Sequence, residues 1–188
     1  GTAELRQAIS DKFKRENDLD YAPGQIVVST GAKQSIANAF MCLLNPGDEV
    51  IVYAPYWVSY AEIIKLAEGV PVPINGNIEN NFKATADQLK AAITPKTKAV
   101  IFSSPCNPTG AVFSREEMHA IAEALSGRPD IVVIADEIYE HINFSGEHVS
   151  IATMPGMMER TVTVNGFSKG FAMTGWRLGY IAAPLSIA

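Results

Sequence analysis

Apolar residues recur at helical spacing in one stretch and run on without interruption in the next, and this alternation continues along most of the chain. Leu5, Ile9 and Phe13 mark a first helix that Thr2 can cap, and GQIVVS follows as a short strand. Ile36, Phe40, Met41 and Leu44 form the apolar face of a second helix, which stops at NPGD before the strand EVIVY. A helix with Tyr60, Ile63 and Ile64, a strand VPVPI, a polar loop NGNIENN and a helix with Leu89, Ala92 and Ile93 come next. After the strand AVIFSS, Ser114 and Glu117 form a capping box that opens a helix containing Met118, Ile121 and Leu125, with Gly127 as its stop. IVVIAD, TVTVN and LGYIAA bring the strands to about seven.

Strands rich in Val, Ile and Ala that alternate with helices predict a mainly parallel sheet covered on both faces, a three-layer αβα sandwich. Ligands of such sheets bind beyond the carboxyl ends of the strands. That rule selects four loops: STGAK, APYW, SPCNPTG and DEIY.

Composition narrows the partners. With 47% hydrophobic and 19% charged residues, the 188-residue chain has the balance of one soluble globular domain. Fifteen basic against 20 acidic residues give a net charge of -5 without a Lys/Arg cluster, so a nucleic-acid or anionic-membrane surface is not supported. Small molecules or other proteins are the expected partners. Cys42 and Cys106 lack metal or disulfide spacing, and no signal peptide or membrane span is evident, so a reducing, cytoplasmic setting is expected. The chain opens at Gly1 inside a helical pattern and ends just past a strand-like run, and is read as a piece of something longer.

Several residues at the predicted carboxyl edge invite chemistry. Gly31, Ala32 and Lys33 follow a strand and open a helix, where backbone N–H groups and the helix dipole favour an anion. The Walker lysine spacing and GxGxxG are both missing, which disfavours a nucleoside triphosphate or a dinucleotide. Asn107 lies in the turn NPTG, where its amide either caps its own turn or donates to a ligand. Asp136 follows a buried apolar run, so desolvation opposes its charge unless a cation, a cap or a ligand meets it. Tyr56 and Trp57 belong to a loop at the same edge, where they either cover core or stack on a flat ligand. Glu137, Glu140 and His141 match no established metal spacing and read as surface residues, while His119 and His148 have no evident partner.

NGFSKGFAMTGWRLGY, residues 165–180, reads as buried apart from Lys169 and Arg177. A lysine among apolar residues can act as an amine nucleophile toward a carbonyl and form a Schiff base. Pyridoxal phosphate needs such an amine for its aldehyde, an anion site for its phosphate, a carboxylate for its ring nitrogen and a surface for its ring. This segment and the four loops together offer all of these.

On these residues the sequence resembles the large domain of fold-type I pyridoxal-phosphate enzymes, specifically the class I/II aminotransferases related to aspartate aminotransferase. The resemblance covers residues 1–188, with GFSKGFAMTGWRLG, NPTG, DEIY and YW as its most specific elements. It implies that Lys169 forms the Schiff base and later shuttles a proton, and that Asp136 keeps the pyridine nitrogen protonated. By the same resemblance Tyr139 and Asn107 hydrogen-bond the phenolic oxygen and Trp57 stacks on the ring. Gly31, Ala32, Lys33 and Arg177 then form the phosphate cup. Cis peptides before Pro55 and Pro108 are implied as well. Gly166 departs from the many relatives that carry serine three residues before the lysine, and whether Ser168 compensates is open.

For the parent protein the resemblance implies an aminotransferase acting on amino acid and 2-oxo acid substrates, with a further small domain, an N-terminal segment and a homodimer that completes each site. These residues alone are therefore expected to bind the cofactor with little or no turnover. A carbon–sulfur lyase or synthase on the same scaffold, the sensing module of a transcription regulator, and an α/β domain with no cofactor are the alternatives.

Overall fold

The computed structural model describes all residues from Gly1 to Ala188. Seven strands form one sheet in the order β1-β7-β6-β5-β4-β2-β3, where β1 is Ile26–Ser29, β2 Glu49–Ala54, β3 Val70–Asn75, β4 Thr97–Ser103, β5 Val132–Asp136, β6 Thr161–Gly166 and β7 Gly179–Ala182. Only β7 runs against its neighbours β1 and β6; the other pairs are parallel.

Alternation along each strand sends side chains to two cores. Val50, Val52, Ile101, Ile134 and Val164 pack with Ile36 and Phe40 of α2 (Ala32–Leu43) and Tyr60 and Ile64 of α3 (Ser59–Leu66). Ile51, Val100, Phe102 and Val133 face the other way, against Leu89 of α4 (Ala86–Ala92) and Met118 and Ile121 of α5 (Arg115–Ala124). On that second face α1 (Ala3–Asn17) covers the β1–β7 edge through Ile9 and Phe13. Each element therefore buries the stripe that its apolar period marks. Met41 is the exception: it is 54% exposed, because it sits between the buried stripe and solvent on α2.

Local capping matches the sequence. The Thr2 hydroxyl accepts the Leu5 N–H at 3.3 Å, and Ser114 and Glu117 exchange hydrogen bonds at the start of α5.

Stretch 167–178 differs from expectation. Phe171 is 52% and Trp176 75% exposed, and Lys169 and Arg177 are exposed too. This segment links two adjacent antiparallel strands at the sheet's end, and no layer of the chain passes over it.

Candidate active site

Strand polarity assembles the site. Loops leaving the parallel strands β1, β2, β4, β5 and β6 emerge at one edge, and because β7 is antiparallel, the residues that precede it lie at that same edge. Ala32, Lys33, Trp57, Asn107, Asp136, Tyr139, Lys169 and Arg177 accordingly line one cavity of about 170 Å³. Gly31 borders it through Arg177. Ligand pockets typically measure roughly 300–1,000 Å³, so the cavity is small for a dinucleotide.

Asp136 lies at the floor, 5% exposed. Burial pushes its carboxyl up to about 6, a rise that the Tyr60 hydroxyl and the Ile138 N–H limit by donating to it and that nearby Glu137 reinforces. Those two bonds measure 2.5 Å to Oδ2 and 3.2 Å to Oδ1. No cation of the chain is paired with Asp136, so a positively charged ligand atom would relieve the penalty.

At the mouth the charge is reversed. Lys33, Lys169 and Arg177 all line the cavity, which favours an anionic ligand. The Lys33 ammonium stands 4.8 Å from the Trp57 ring centroid, and the Lys169 ammonium 5.8 Å from that of Tyr139. Asn107 Nδ2 donates to Tyr139 Oη at 3.5 Å, which brings two potential donors to one position. Arg177 adopts a left-handed backbone (φ 51°) and ties Nη1 to the Thr174 carbonyl at 2.9 Å, which orients its fork. Nη2 then lies beside Gly31, the residue that caps α2.

Gly31 has φ 86° and ψ 155°, a conformation open essentially to glycine alone. A Cβ there would also collide with Nη2 of Arg177. Gly31→Ala is therefore expected to destabilise the fold by about 1–3 kcal/mol and to displace the guanidinium from the α2 N-terminus. Chemical denaturation, paired with a phosphate-analogue titration, checks both effects. Gly166 has a related cause. It faces Gly179 across β6 and β7, and a Cβ on Gly166 would meet the Gly179 Cα at 2.9 Å, so no serine fits without backbone movement. Ser168 does line the cavity, with its carbonyl accepting from the Thr174 hydroxyl at 2.9 Å.

Peptides before Pro55 and Pro108 are cis, as the resemblance implies, and so is the one before Pro105. The acidic cluster corrects the sequence reading. Glu137 and Glu140 are buried, at 2% and 8% exposure, and His148 is paired with Glu137 at 3.0 Å. Burial opposes the charge on His148, but Glu137 outweighs it and raises the imidazole above its usual range. Glu140 is held by Lys12, by Asn17 at 2.8 Å and by His141 at 3.1 Å. Burial opposes its ionisation, and the Lys12 ammonium outweighs that and lowers its carboxyl. Lys12 and Asn17 thereby join α1 to the segment after β5, beside a larger cleft of about 720 Å³ that none of Lys169, Asp136 and Arg177 lines.

Ile36, Tyr60, Ser103, Ile138 and Thr174 also line the cavity and were missed by sequence reasoning; Tyr60 and Ser103 bear on Asp136. Tyr60 occupies an apolar helical position, and its only signal was a polar tip three residues after Trp57. Ser103 pairs with Asp136 in the β4–β5 register, and its buried hydroxyl has no partner within the protein.

An open, mainly parallel sheet thus places a lysine, a buried carboxylate and an arginine together at its carboxyl edge. The chain belongs to the family Aminotransferase class I and II, which it matches over residues 1–188. It is 51% identical, along its whole length, to the aspartate/prephenate aminotransferase of Nitrosomonas europaea, of which it covers 48%. It is 53% identical over 98% of its length to a bifunctional aspartate aminotransferase and glutamate/aspartate-prephenate aminotransferase of Petunia hybrida, covering 39% of that protein. The crystal structure of the aspartate aminotransferase from Rhizobium meliloti superposes with a TM-score of 0.97 at 46% identity, over all of this chain and 47% of that one. The chain thus spans less than half the length of these relatives.

Proposed function

We propose that the chain is the cofactor-binding domain of a longer pyridoxal-phosphate aminotransferase that moves an amino group between an L-amino acid, aspartate foremost, and a 2-oxo acid. The observation that carries the reading is the convergence of Lys169, Asp136 and Arg177 on one small cavity with a cationic mouth and an acidic floor. Relatives at about half identity, named as aspartate/prephenate aminotransferases, support the reaction and the donor.

The residues fit the cofactor. Gly31 lets the Arg177 guanidinium close against the α2 N-terminus, which brings a cation and free amides together for a phosphate, and a buried carboxylate with no cationic partner matches a protonated ring nitrogen. When bound, pyridoxal phosphate supplies an aldehyde for the amino group and a ring that accepts electrons from the substrate Cα. The Lys169 Nζ would supply the amine for that aldehyde and the base that takes the Cα proton. Asp136 would hold a proton on the ring nitrogen, Asn107 and Tyr139 would donate to the phenolic oxygen, and Trp57 would pack on the ring. The amides of Ala32 and Lys33, which open α2 and have no helical acceptor, join the Arg177 guanidinium in holding the phosphate.

We place the substrate's further contacts in parts of the parent protein outside these residues, and a second subunit against the rim where Trp176 and Phe171 are exposed. Free cysteines Cys42 and Cys106 suit a cytoplasmic setting. No helix is long and apolar enough to cross a membrane.

The test is product analysis with the full-length protein. Aspartate plus 2-oxoglutarate should give oxaloacetate and glutamate in equal amounts, while cystathionine should release no pyruvate. Elimination from cystathionine without amino transfer would replace this reading with a lyase.

A further inference from the structure

Asp136 owes its orientation to a residue that no part of the proposed chemistry uses. Tyr60, on the first turn of α3, is 1% exposed and donates its hydroxyl proton to Asp136 Oδ2 at 2.5 Å. Oδ1 accepts the Ile138 N–H at 3.2 Å. Donors from two separate elements thus fix the plane of the carboxylate. The Trp57 ring meets the Tyr60 ring edge-on, with centroids 5.6 Å apart and planes at 87°. Tyr60 therefore touches both the group assigned to the ring face and the group assigned to the ring nitrogen.

We propose that Tyr60 is a positioning residue for the cofactor, a neutral donor that holds Asp136 ionised and aimed at a protonated ring nitrogen. The proposal rests on the reading that this cavity takes pyridoxal phosphate. The reason for a phenol is electrostatic. A lysine, arginine or protonated histidine in its place would support the carboxylate but neutralise it, and would compete with the ring's positive charge. A hydroxyl donating to an ionised acceptor gives a charge-assisted bond and leaves the full negative charge available.

Tyr60 stays a donor. Burial first, and then the Asp136 charge, push its own ionisation well above the usual phenol range. The groups around the pair come from every neighbouring element: Ser103 on β4 and Cys106 after it, Glu137 after β5, and Lys33, Lys169 and Arg177 across the cavity. None of these cations is hydrogen-bonded to Asp136, so the phenol is its one side-chain donor.

The experiment uses the full-length protein as wild type, Tyr60→Phe, Asp136→Asn and the double variant, titrated with pyridoxal phosphate from pH 5.5 to 9. Phenylalanine keeps the ring against Trp57, and denaturant unfolding confirms that each variant folds. Tyr60→Phe should weaken binding near pH 7.5 by roughly 10- to 100-fold, the range for losing a hydrogen bond to a charged group. It should also move the pH midpoint of binding upward, because Asp136 then protonates more readily. In the Asp136→Asn background the same change should have no further effect. An unchanged midpoint, or an equal loss in both backgrounds, would overturn the role of Tyr60 while the cofactor reading stands. Failure of the wild type to bind would overturn both. The cofactor-free protein gives an independent readout, since the pH dependence of its unfolding should move upward in Tyr60→Phe whether or not a ligand binds.

Discussion

Lys169→Ala in the full-length protein should abolish the long-wavelength absorbance that pyridoxal phosphate acquires on binding, and should lower amino transfer by roughly 10⁴-fold or more. The variant loses two things at one atom. On the proposed reading the Nζ that would hold the aldehyde is gone, and so is the base that would move the Cα proton. A proton-transfer group alone is worth roughly 10²–10⁴ in rate, so losing both roles places the effect at or beyond the top of that range, about 5 kcal/mol. Stability should hardly change, because Lys169 is exposed and has no ion-pair partner in the structure. The ligand should still bind through Arg177 and Asp136. Borohydride treatment followed by peptide mass analysis distinguishes the cases: in the wild type the cofactor's mass should remain on the peptide carrying Lys169. Cofactor mass fixed on Lys33 instead, the other lysine lining the cavity, would move the chemistry to that residue.

Much of this arrangement could be read before any coordinates, for reasons that particular residues make plain. Parallel strands buried on both faces carry continuous apolar runs, as in IVVIAD, and the loop after each run is confined to one edge, so DEIY and SPCNPTG fall together. Direction of a strand leaves no such mark. The four residues of β7 are all buried and look like any other strand, yet only its antiparallel course brings Arg177 to the same edge as Lys169. Burial of a polar group is equally hard to read, since it depends on a partner distant in sequence. Tyr60 meets Asp136 across 76 positions, and Lys12 meets Glu140 across 128, so Tyr60 passed for an ordinary core residue and Glu140 for a surface one. Exposure of Phe171 and Trp176 inverts the usual inference from apolar composition, because their segment has no layer of this chain above it.

Asp136→Asn is expected to separate the carboxylate's role in catalysis from its effect on the fold. In the cofactor-free protein burial raises the carboxyl from 3.8 to about 6, so the folded state holds this proton more tightly than the unfolded chain does. The contribution to stability is therefore complete below about pH 3.8 and is lost as pH rises through about 6, amounting to about 3 kcal/mol across that window. Asparagine has no such proton, and the variant should lack this component of the pH dependence, which denaturant unfolding between pH 4 and 7.5 measures. Near neutral pH the variant should be the more stable of the two. Its activity should move the opposite way. A neutral amide cannot hold a proton on the ring nitrogen, and removing a preorganised electrostatic group costs on the order of 10²–10³ in kcat. Bound pyridoxal phosphate should also flatten the wild type's pH dependence, because a positive ring nitrogen above Asp136 favours the ionised carboxylate in the folded state. Equal pH dependence in wild type and Asp136→Asn would show that this buried acid carries no proton of consequence, and the ring nitrogen would need another partner.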